Sequence, residues 1–535
     1  MSGLSRRRLA SAVVVTVVAL AAAACSGPAS SISVNNNPTA AASRVDVAIG
    51  YNNNQNWDPL NTGSAFVMSA ENHIYEPLWD AAAVTRKPFA ALATVLPTAD
   101  QQKQPVWTVK LRPGATWQDG QPVTADDVVY TFGRVLDTSK PLLTTSFFSS
   151  WLQSVTKVDD STVKITMKTA FPYALQRFAI VKIMPKHIFD GQSDDFIKQG
   201  KNALGSGPYK VTAQQDGSFT TLTRYDKYNG PLKPTIQTMQ WNVAVDPAAR
   251  TALLTSGSNG VQIADNIPQD SIDTLKAKGL TVEGADSMNM LGLAFNTSRP
   301  PFDNKLVREA LRYAIDTNKL IQVSVGGQGS PATGFLQQSS PYYKAASTQY
   351  TYDPQKAKAL LKEAGVTTPI NIRLMSTNIS WTKIAVNTIK EGWDAIGVNT
   401  TLDVVETAQF NSQLASGAPV DVVTFSGNPN QFGQDPDLNI RWFYSASGQF
   451  MPWNKWDQTA DYKTLDTILT QSEQTSDPAT ATKLVNQAMD MIAEQGVIYP
   501  VMHMKLFTAW DPKALTGVKA LDIPGVNLLS ASRVG

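Results

Sequence analysis

The chain has 535 residues, of which 42% are hydrophobic and 17% charged, a composition that suits about three globular domains and excludes a chain that is disordered throughout. The 46 lysines and arginines nearly balance the 44 aspartates and glutamates, so no overall basic field exists to attract a nucleic acid, and we expect no such partner. The single cysteine, Cys25, excludes an internal disulfide, a Cys-x-x-Cys redox pair and a multi-thiolate metal site.

Residues 1–24 have the anatomy of a signal peptide. A basic head, Arg6–Arg8, is followed by the uncharged and mostly apolar segment Leu9–Ala24. This segment is shorter than the stretch of about 20 apolar residues that a membrane-spanning helix needs. The residues around Arg6–Arg8 partly resemble a twin-arginine export signal, so the sequence predicts export and leaves the route of export open.

Cys25 directly follows Ala22, Ala23 and Ala24, which resembles the lipobox of bacterial lipoproteins. The resemblance implies that Cys25 receives diacylglycerol and becomes the new N-terminus after cleavage. Residues 26–43 are rich in Ser, Ala, Asn and Pro, so we expect 25–43 to be a lipidated cysteine with a flexible tether. The predicted location is the outer face of the cytoplasmic membrane, on its periplasmic or cell-wall side.

The folded body is predicted to begin with a strand. Val45, Val47 and Ile49 alternate with other residues, and a polar loop at 51–55 follows. The same alternation at 107–111 and at 163–167 predicts two half-buried strands.

Helices are predicted where apolar residues recur at helical spacing, at 307–315, 354–364 and 484–492. A further helix is expected to begin at Thr124, with Asp126 and Asp127 in its first turn. Adjacent carboxylates on a helix do not converge on one atom, so we interpret these two as helix-start residues rather than as a catalytic pair. Strands and helices interleave without a repeat, which predicts α/β domains.

The sequence contains no Gly-x-Ser-x-Gly elbow, no phosphate-binding glycine loop and no His-Glu-x-x-His helix. The three histidines, His73, His187 and His503, are interpreted as packed or surface residues. We therefore expect no catalytic residues, no metal site and no cofactor. Tryptophan, asparagine and glutamine are abundant in the C-terminal half, and such side chains can hold a polar small molecule by stacking and uncharged hydrogen bonds.

One segment carries a specific resemblance. Residues 107–132 read WTVKLRPGATWQDGQPVTADDVVYTF, and this string resembles the family 5 extracytoplasmic solute-binding proteins, the peptide- and nickel-type receptors of ATP-binding-cassette (ABC) importers. The likeness continues at 185–188, 205–209, 295–301, 307–316 and 435–437. It extends from about residue 45 to the C-terminus.

The resemblance implies an α/β, bilobal periplasmic-binding-protein fold that closes like a hinged clamp, of the large type with an extra inserted domain. Domain I would comprise 44–82, 205–290 and 500–535, domain II 83–204 and domain III 291–499. The implied function is that of a substrate-binding lipoprotein, which captures peptides of the oligopeptide or dipeptide class by hinge closure and delivers them to ABC permease subunits. We expect a monomer.

Peptide-type members hold their ligand as an added strand between an N-terminal loop and a loop of the third domain. The matching positions give the predicted ligand-binding residues, which are Tyr51, Asn52, Asn54, Trp57, Asn378, Trp381, Phe425, Ser426, Asn428, Asn430 and Asp435.

The sequence departs from the peptide binders at Asn430, which stands about where they often place an Asp that pairs with the ligand's amino group. An amide supplies no opposite charge, so a site for a free amine is weakened unless Asp435 substitutes. The alternative ligands are a glycan, a modified metabolite, nickel or haem. An extracellular hydrolase and a ligand-free scaffold or sensor lipoprotein are further alternatives.

Overall fold

The computed structural model describes residues 44–257, 260–446 and 448–534. The predicted signal peptide at 1–24, Cys25 and the predicted tether lie outside the described residues. The strands are β1 Arg44–Ile49, β2 Trp79–Ala81, β3 Pro88–Ala90, β4 Val106–Lys110, β5 Leu152–Asp159, β6 Thr162–Met167, β7 Tyr209–Gln215, β8 Phe219–Arg224, β9 Thr238–Val243, β10 Ile263–Ala264, β11 Thr281–Phe295, β12 Gly329–Pro331, β13 Ile370–Thr377, β14 Val398–Val405, β15 Val422–Gly427, β16 Ile498–Trp510, β17 Leu515–Thr516 and β18 Ser532–Arg533.

The helices are α1 Ala65–Ile74, α2 Ala99–Gln102, α3 Ala125–Leu136, α4 Thr145–Phe148, α5 Ala174–Phe178, α6 Lys186–Phe189, α7 Asp194–Ile197, α8 Pro247–Thr255, α9 Ile272–Ala277, α10 Lys305–Tyr313, α11 Thr317–Val325, α12 Pro354–Glu363, α13 Ser380–Asp394, α14 Thr407–Ala415, α15 Pro436–Tyr444, α16 Met451–Asn454, α17 Ala460–Gln474 and α18 Pro478–Gln495. Strands and helices interleave as predicted, and the α/β architecture is confirmed.

A mixed sheet of eleven strands forms the centre of the molecule. Ten of its strands lie in the order β14-β13-β15-β11-β16-β10-β1-β9-β8-β7, and β12 pairs with β16. The predicted first strand, β1, is confirmed and runs parallel to both β9 and β10. Parallel strands in the middle of a sheet are covered on both faces, and accordingly Asp46 is buried along with its apolar neighbours. Its carboxylate is paired with Arg44 at 3.1 Å.

The antiparallel ribbon of β11 and β16 joins the two halves of this sheet. Strands β10, β1, β9, β8 and β7 lie on the β16 side, and β15, β13 and β14 lie on the β11 side. The ribbon's register shifts between Asp286 and Met290. At this point the Ser287 hydroxyl donates a hydrogen bond to the Met504 carbonyl at 2.7 Å. The two halves of the sheet are therefore continuous through this ribbon, which is locally irregular at the register shift.

A separate three-stranded sheet, in the order β4-β6-β5, lies within the predicted domain II. Side chains of β4 alternate between buried and exposed, as do those of β6, so both half-buried strands are confirmed. Helix α3 packs on this sheet. Its Asp127 accepts hydrogen bonds from the Thr124 backbone at 2.8 Å and the Trp117 indole at 3.3 Å. The prediction that Asp127 is a helix-start residue is confirmed.

The helix predicted at 307–315 corresponds to α10, whose apolar stripe is buried against the sheet. Helix α13 contacts the C-terminal part of α10, where the Trp393 indole donates to the Leu311 carbonyl at 2.8 Å. Helix α12 begins after Asp353, whose carboxylate accepts from the Lys356 backbone at 2.8 Å, as an N-cap does. The predicted residue limits of the three domains stay a prediction.

Candidate ligand-binding cleft

A cavity of about 350 Å³ lies among five stretches of chain and Leu232. It is lined by residues from 59–72, from 80–89 together with 143–182, from 430–434 and from 521–530. In the predicted domain limits, these stretches belong to all three domains. A volume near 300 Å³ is at the small end of the range for ligand pockets, so the cavity suits a small solute.

The side of the cavity formed by helix α1 carries a buried acid. Helix α1 follows the N-cap Ser64, and its apolar side chains pack in a hydrophobic core, namely Phe66, Val67, Ala70 and Ile74. Glu71 lines the cavity, yet its side chain is only 2% exposed. Its Oε1 is buried and has no hydrogen-bond partner among the described residues. Burial raises the pKa of Glu71 well above its usual value, and nearby Asp58 raises this pKa further, while Lys182 opposes the shift.

Lys182 lies on the part of the cavity wall formed by the loop after helix α5. It is 7% exposed, and its Nζ lies 3.8 Å from Asp80 Oδ2. That distance is too long for a hydrogen bond. The cavity thus contains a lysine ammonium with a distant counter-ion and a glutamate with an unsatisfied oxygen.

The wall opposite α1 comes from the loop after β15. Asn430 is 3% exposed and lines the cavity, and its Nδ2 lies 3.3 Å from Asp522 Oδ2. Asp522 is also paired with Arg86. The Oδ1 atom of Asn430 is buried and has no partner among the described residues. The loop, the C-terminal segment and the 80–89 region are therefore tied together at the edge of the cavity.

Of the eleven predicted ligand-binding residues, the structure brings one, Asn430, to the cavity wall. In the predicted first loop, the unpredicted Asn53 sets the conformation. Its Nδ2 donates to the Phe219 carbonyl at 2.9 Å, and its Oδ1 accepts from Gly217 N at 2.7 Å. Trp57 is 1% exposed, and its indole donates to the Asn53 carbonyl at 2.8 Å. This loop is thus anchored on the β7–β8 hairpin.

The other residues of that loop lie away from the cavity lining. Tyr51 packs against the core beneath β1, and burial raises its pKa above the usual value. The Asn52 side chain accepts from Asn54 N at 3.1 Å, in a turn that faces solvent. The segment that does line the cavity begins a few residues later, at Pro59.

The predicted residues of the third domain are dispersed. Asn378 donates to Glu406, and Trp381 packs on the core that contains α10. Phe425 is buried in an aromatic cluster, while Ser426 is exposed. Asn428 is half-buried, and both polar atoms of its side chain are buried without a partner among the described residues.

Asp435 was the acid that could substitute for the missing carboxylate, but its side chain is 0% exposed and pairs with Arg177. The distances are 2.7 Å from Arg177 Nε to Oδ2 and 2.9 Å from Nη2 to Oδ1. Oδ1 also accepts from Leu438 N at 2.9 Å, which caps α15. Both oxygens of Asp435 are therefore used within the protein, and it offers no free charge to a ligand.

Sequence reasoning missed Glu71, Lys182 and the C-terminal segment 521–530. A signal for Glu71 was present, because it falls four residues after Val67 on a helix whose apolar residues predict a buried face. Acids are rarely buried, so an acid on the apolar face of a helix is a candidate functional residue. The sequence offered no comparable signal for the C-terminal segment.

Within residues 44–257, 260–446 and 448–534, no helix is long and apolar enough to span a membrane. Across the same residues, no group of three His, Cys, Asp or Glu side chains could hold a metal ion. His73 and His503 are buried, and His187 is exposed and lies 2.7 Å from Asp119. The three histidines are therefore packed or surface residues, as predicted.

Comparisons with known proteins place this geometry in a family. Residues 89–451 match the model of the bacterial extracellular solute-binding proteins, family 5. The glutathione-binding protein GsiB of Escherichia coli is 28% identical, over 89% of this chain and 92% of that protein.

Solved structures show the same fold. The ABC transporter substrate-binding protein CtaP of Listeria monocytogenes superposes with a TM-score of 0.80 at 24% identity, over 92% of this chain and 99% of that one. The dipeptide-binding protein of Pseudoalteromonas sp. SM9913, in complex with Met-Leu, superposes with a TM-score of 0.76 at 21% identity, over 92% and 100%. The predicted bilobal binding-protein fold is confirmed. The chain belongs to the family 5 bacterial extracellular solute-binding proteins, which bind a solute rather than transform it.

Proposed function

We propose that this protein is the lipid-anchored substrate-binding protein of an ABC importer, and that it captures short peptides in the cleft cavity and delivers them to a permease. The cavity is the observation that carries the proposal, because its wall combines segments that fall in all three predicted domains. Closure of two lobes around such a cavity would sequester a ligand from solvent.

The small cavity favours short peptides over long ones. Its volume of about 350 Å³ is at the low end for ligand sites. Two relatives point the same way, since one is named as a glutathione-binding protein and another was solved with the dipeptide Met-Leu. Among the predicted contacts we retain Asn430, because it lines the cavity and its Oδ1 has no partner among the described residues.

Native mass spectrometry of the chain from Ser26 onward tests the ligand class. We expect mass that co-purifies with the protein and fragments as peptides of two or three residues. Titration calorimetry with defined dipeptides and tripeptides then gives their affinities. A single non-peptide mass, together with no heat from any peptide, would contradict the peptide assignment and move the ligand to a glycan, a metabolite, nickel or haem.

Lipid anchoring is tested separately in cells. The variant Cys25→Ala removes the thiol that would carry diacylglycerol, so we expect the protein to leave the membrane fraction. The variant Ser31→Ala in the predicted tether is the matched control and should stay with the membrane. Equal membrane association of the two variants would refute the anchor.

A further inference from the structure

Glu71 is an acid in the cleft whose partner within the protein is missing. It lines the cavity from helix α1, its side chain is 2% exposed, and its buried Oε1 accepts no hydrogen bond among the described residues. A buried polar atom without a partner is unfavourable, and a buried charge without a partner is more so. A cationic ligand group would satisfy both the hydrogen bond and the charge.

The other acids around the cleft already have counter-ions. Asp58 is held by Arg134, with 2.6 Å between Nη2 and Oδ2. Asp522 pairs with Arg86.

Asp435 and Asp437 both pair with Arg177. Glu71 has no ion pair within the described residues, and it differs in this from the acids beside it.

Burial favours the neutral form of Glu71 in the empty cavity, and the lining has no spare cation that would favour its ionised form. The lining contains two acids, Glu71 and Asp80, and two cations, Lys182 and Arg86. Arg86 is committed to Asp522, which does not line the cavity. Lys182 lies 3.8 Å from Asp80, and its charge also acts on the ionisation of Glu71. One ammonium group on a ligand would balance the remaining carboxylate.

We propose that Glu71 is the binding partner for an alkylammonium group of the ligand, and so supplies from helix α1 the charge that Asn430 lacks on the facing loop. This inference rests on the proposed function, in which the cavity is the ligand site. The ammonium can be the free amino terminus of a peptide or the end of a basic side chain. Binding places it against the Glu71 carboxyl group, in a region shielded from water.

The variant Glu71→Gln tests the assignment, because it keeps the shape of the side chain and removes its charge. We expect Met-Leu to bind the variant about tenfold or more weakly than the wild type, as for loss of a charged hydrogen bond. N-acetyl-Met-Leu should bind both proteins equally. The matched control is Glu363→Gln, the same change at an exposed glutamate of helix α12 outside the cavity lining, which should retain the affinity for Met-Leu.

A third ligand distinguishes the two sources of the ammonium group. If N-acetyl-lysyl-leucine loses affinity on Glu71→Gln while Met-Leu does not, the group is a side chain rather than the amino terminus, and the assignment of Glu71 stands. Unchanged binding of both ligands by Glu71→Gln, or an equal loss for N-acetyl-Met-Leu, would overturn it. Circular dichroism and the thermal midpoint of each variant confirm that folding is retained.

Butylammonium chloride is the probe that separates this inference from the peptide assignment. If the wild-type protein binds no peptide but butylammonium raises its thermal midpoint, and Glu71→Gln abolishes the rise, then the ligand class is wrong and the Glu71 site is upheld. If neither peptides nor butylammonium bind the wild type, the inference is refuted.

Discussion

His73 makes the stability of this protein sensitive to mild acid. Its ring is 0% exposed, with Nδ1 at 2.9 Å from the Ser69 carbonyl and Nε2 at 3.1 Å from Leu528 N. The Leu528 N–H donates to Nε2, so the ring is neutral and carries its proton on Nδ1. Burial lowers the pKa of His73 from its ordinary 6.5 to about 4.

The size and sign of the effect follow from the two pKa values. Between pH 6.5 and pH 4 the unfolded chain binds a proton at His73 and the native protein does not, so the native state loses stability as the pH falls. A shift of this size corresponds to about 3 kcal/mol of unfolding free energy, all of it present above pH 6.5 and lost by pH 4. Burial lowers the pKa of His503 to about 4 as well, so it acts in the same direction.

Denaturant unfolding at pH 7 and at pH 4.5 measures this effect. The fluorescence of Trp241 is a local reporter, because its ring centroid lies 5.2 Å from that of His73. The variant His73→Gln should lose less stability between the two pH values than the wild type, by about 2–3 kcal/mol. The variant His187→Gln, at an exposed site, is the control. The same pH dependence in wild type and His73→Gln would refute the reasoning.

Two further substitutions test the packing that holds the cleft. Arg177→Met leaves Asp435 buried without its counter-ion, so we expect the free energy of unfolding, measured by chemical denaturation, to fall by about 3–5 kcal/mol. Adding Asp435→Asn should recover part of this loss. No recovery would contradict the ion-pair explanation. Gly392→Ala places a Cβ 2.0 Å from the Ala314 carbonyl oxygen, which forces two helices apart and should lower stability by about 1–3 kcal/mol. Gly63→Ala meets nothing within 4 Å and should change stability by less than about 0.5 kcal/mol; equal effects of the two glycine substitutions would exclude the steric explanation.

Local patterns predicted the local elements well. The alternation at Trp107 and Val109 predicted β4 because one face of that strand meets a core and the other meets solvent. The stripe on α10 was equally informative, because it repeats at helical spacing and is buried along its length. Both predictions depend only on neighbours a few residues apart.

The cleft could not be predicted in the same way, because it is made by contacts between distant segments. A run of asparagines at 52–54 suggested a binding loop, but the Asn53 amide forms hydrogen bonds with the backbone of the β7–β8 hairpin. Sequence does not distinguish an amide that faces a ligand from one that faces a neighbouring main chain. Likewise, nothing in the sequence indicates that Asp435 pairs with Arg177, because the two residues are far apart along the chain.

The C-terminal segment closes one side of the cleft. Residues 521–530 form part of the cavity wall and are held on α1 by Ser69, which bonds to the Val526 backbone, and by His73. Ser69 and Val526 are 457 positions apart in sequence, so this contact forms only when distant parts of the chain come together. The cavity stays open on that side until residues 521–530 dock on helix α1. A chain cut short by about fifteen residues would therefore keep most of its secondary structure and lose the wall that encloses its ligand.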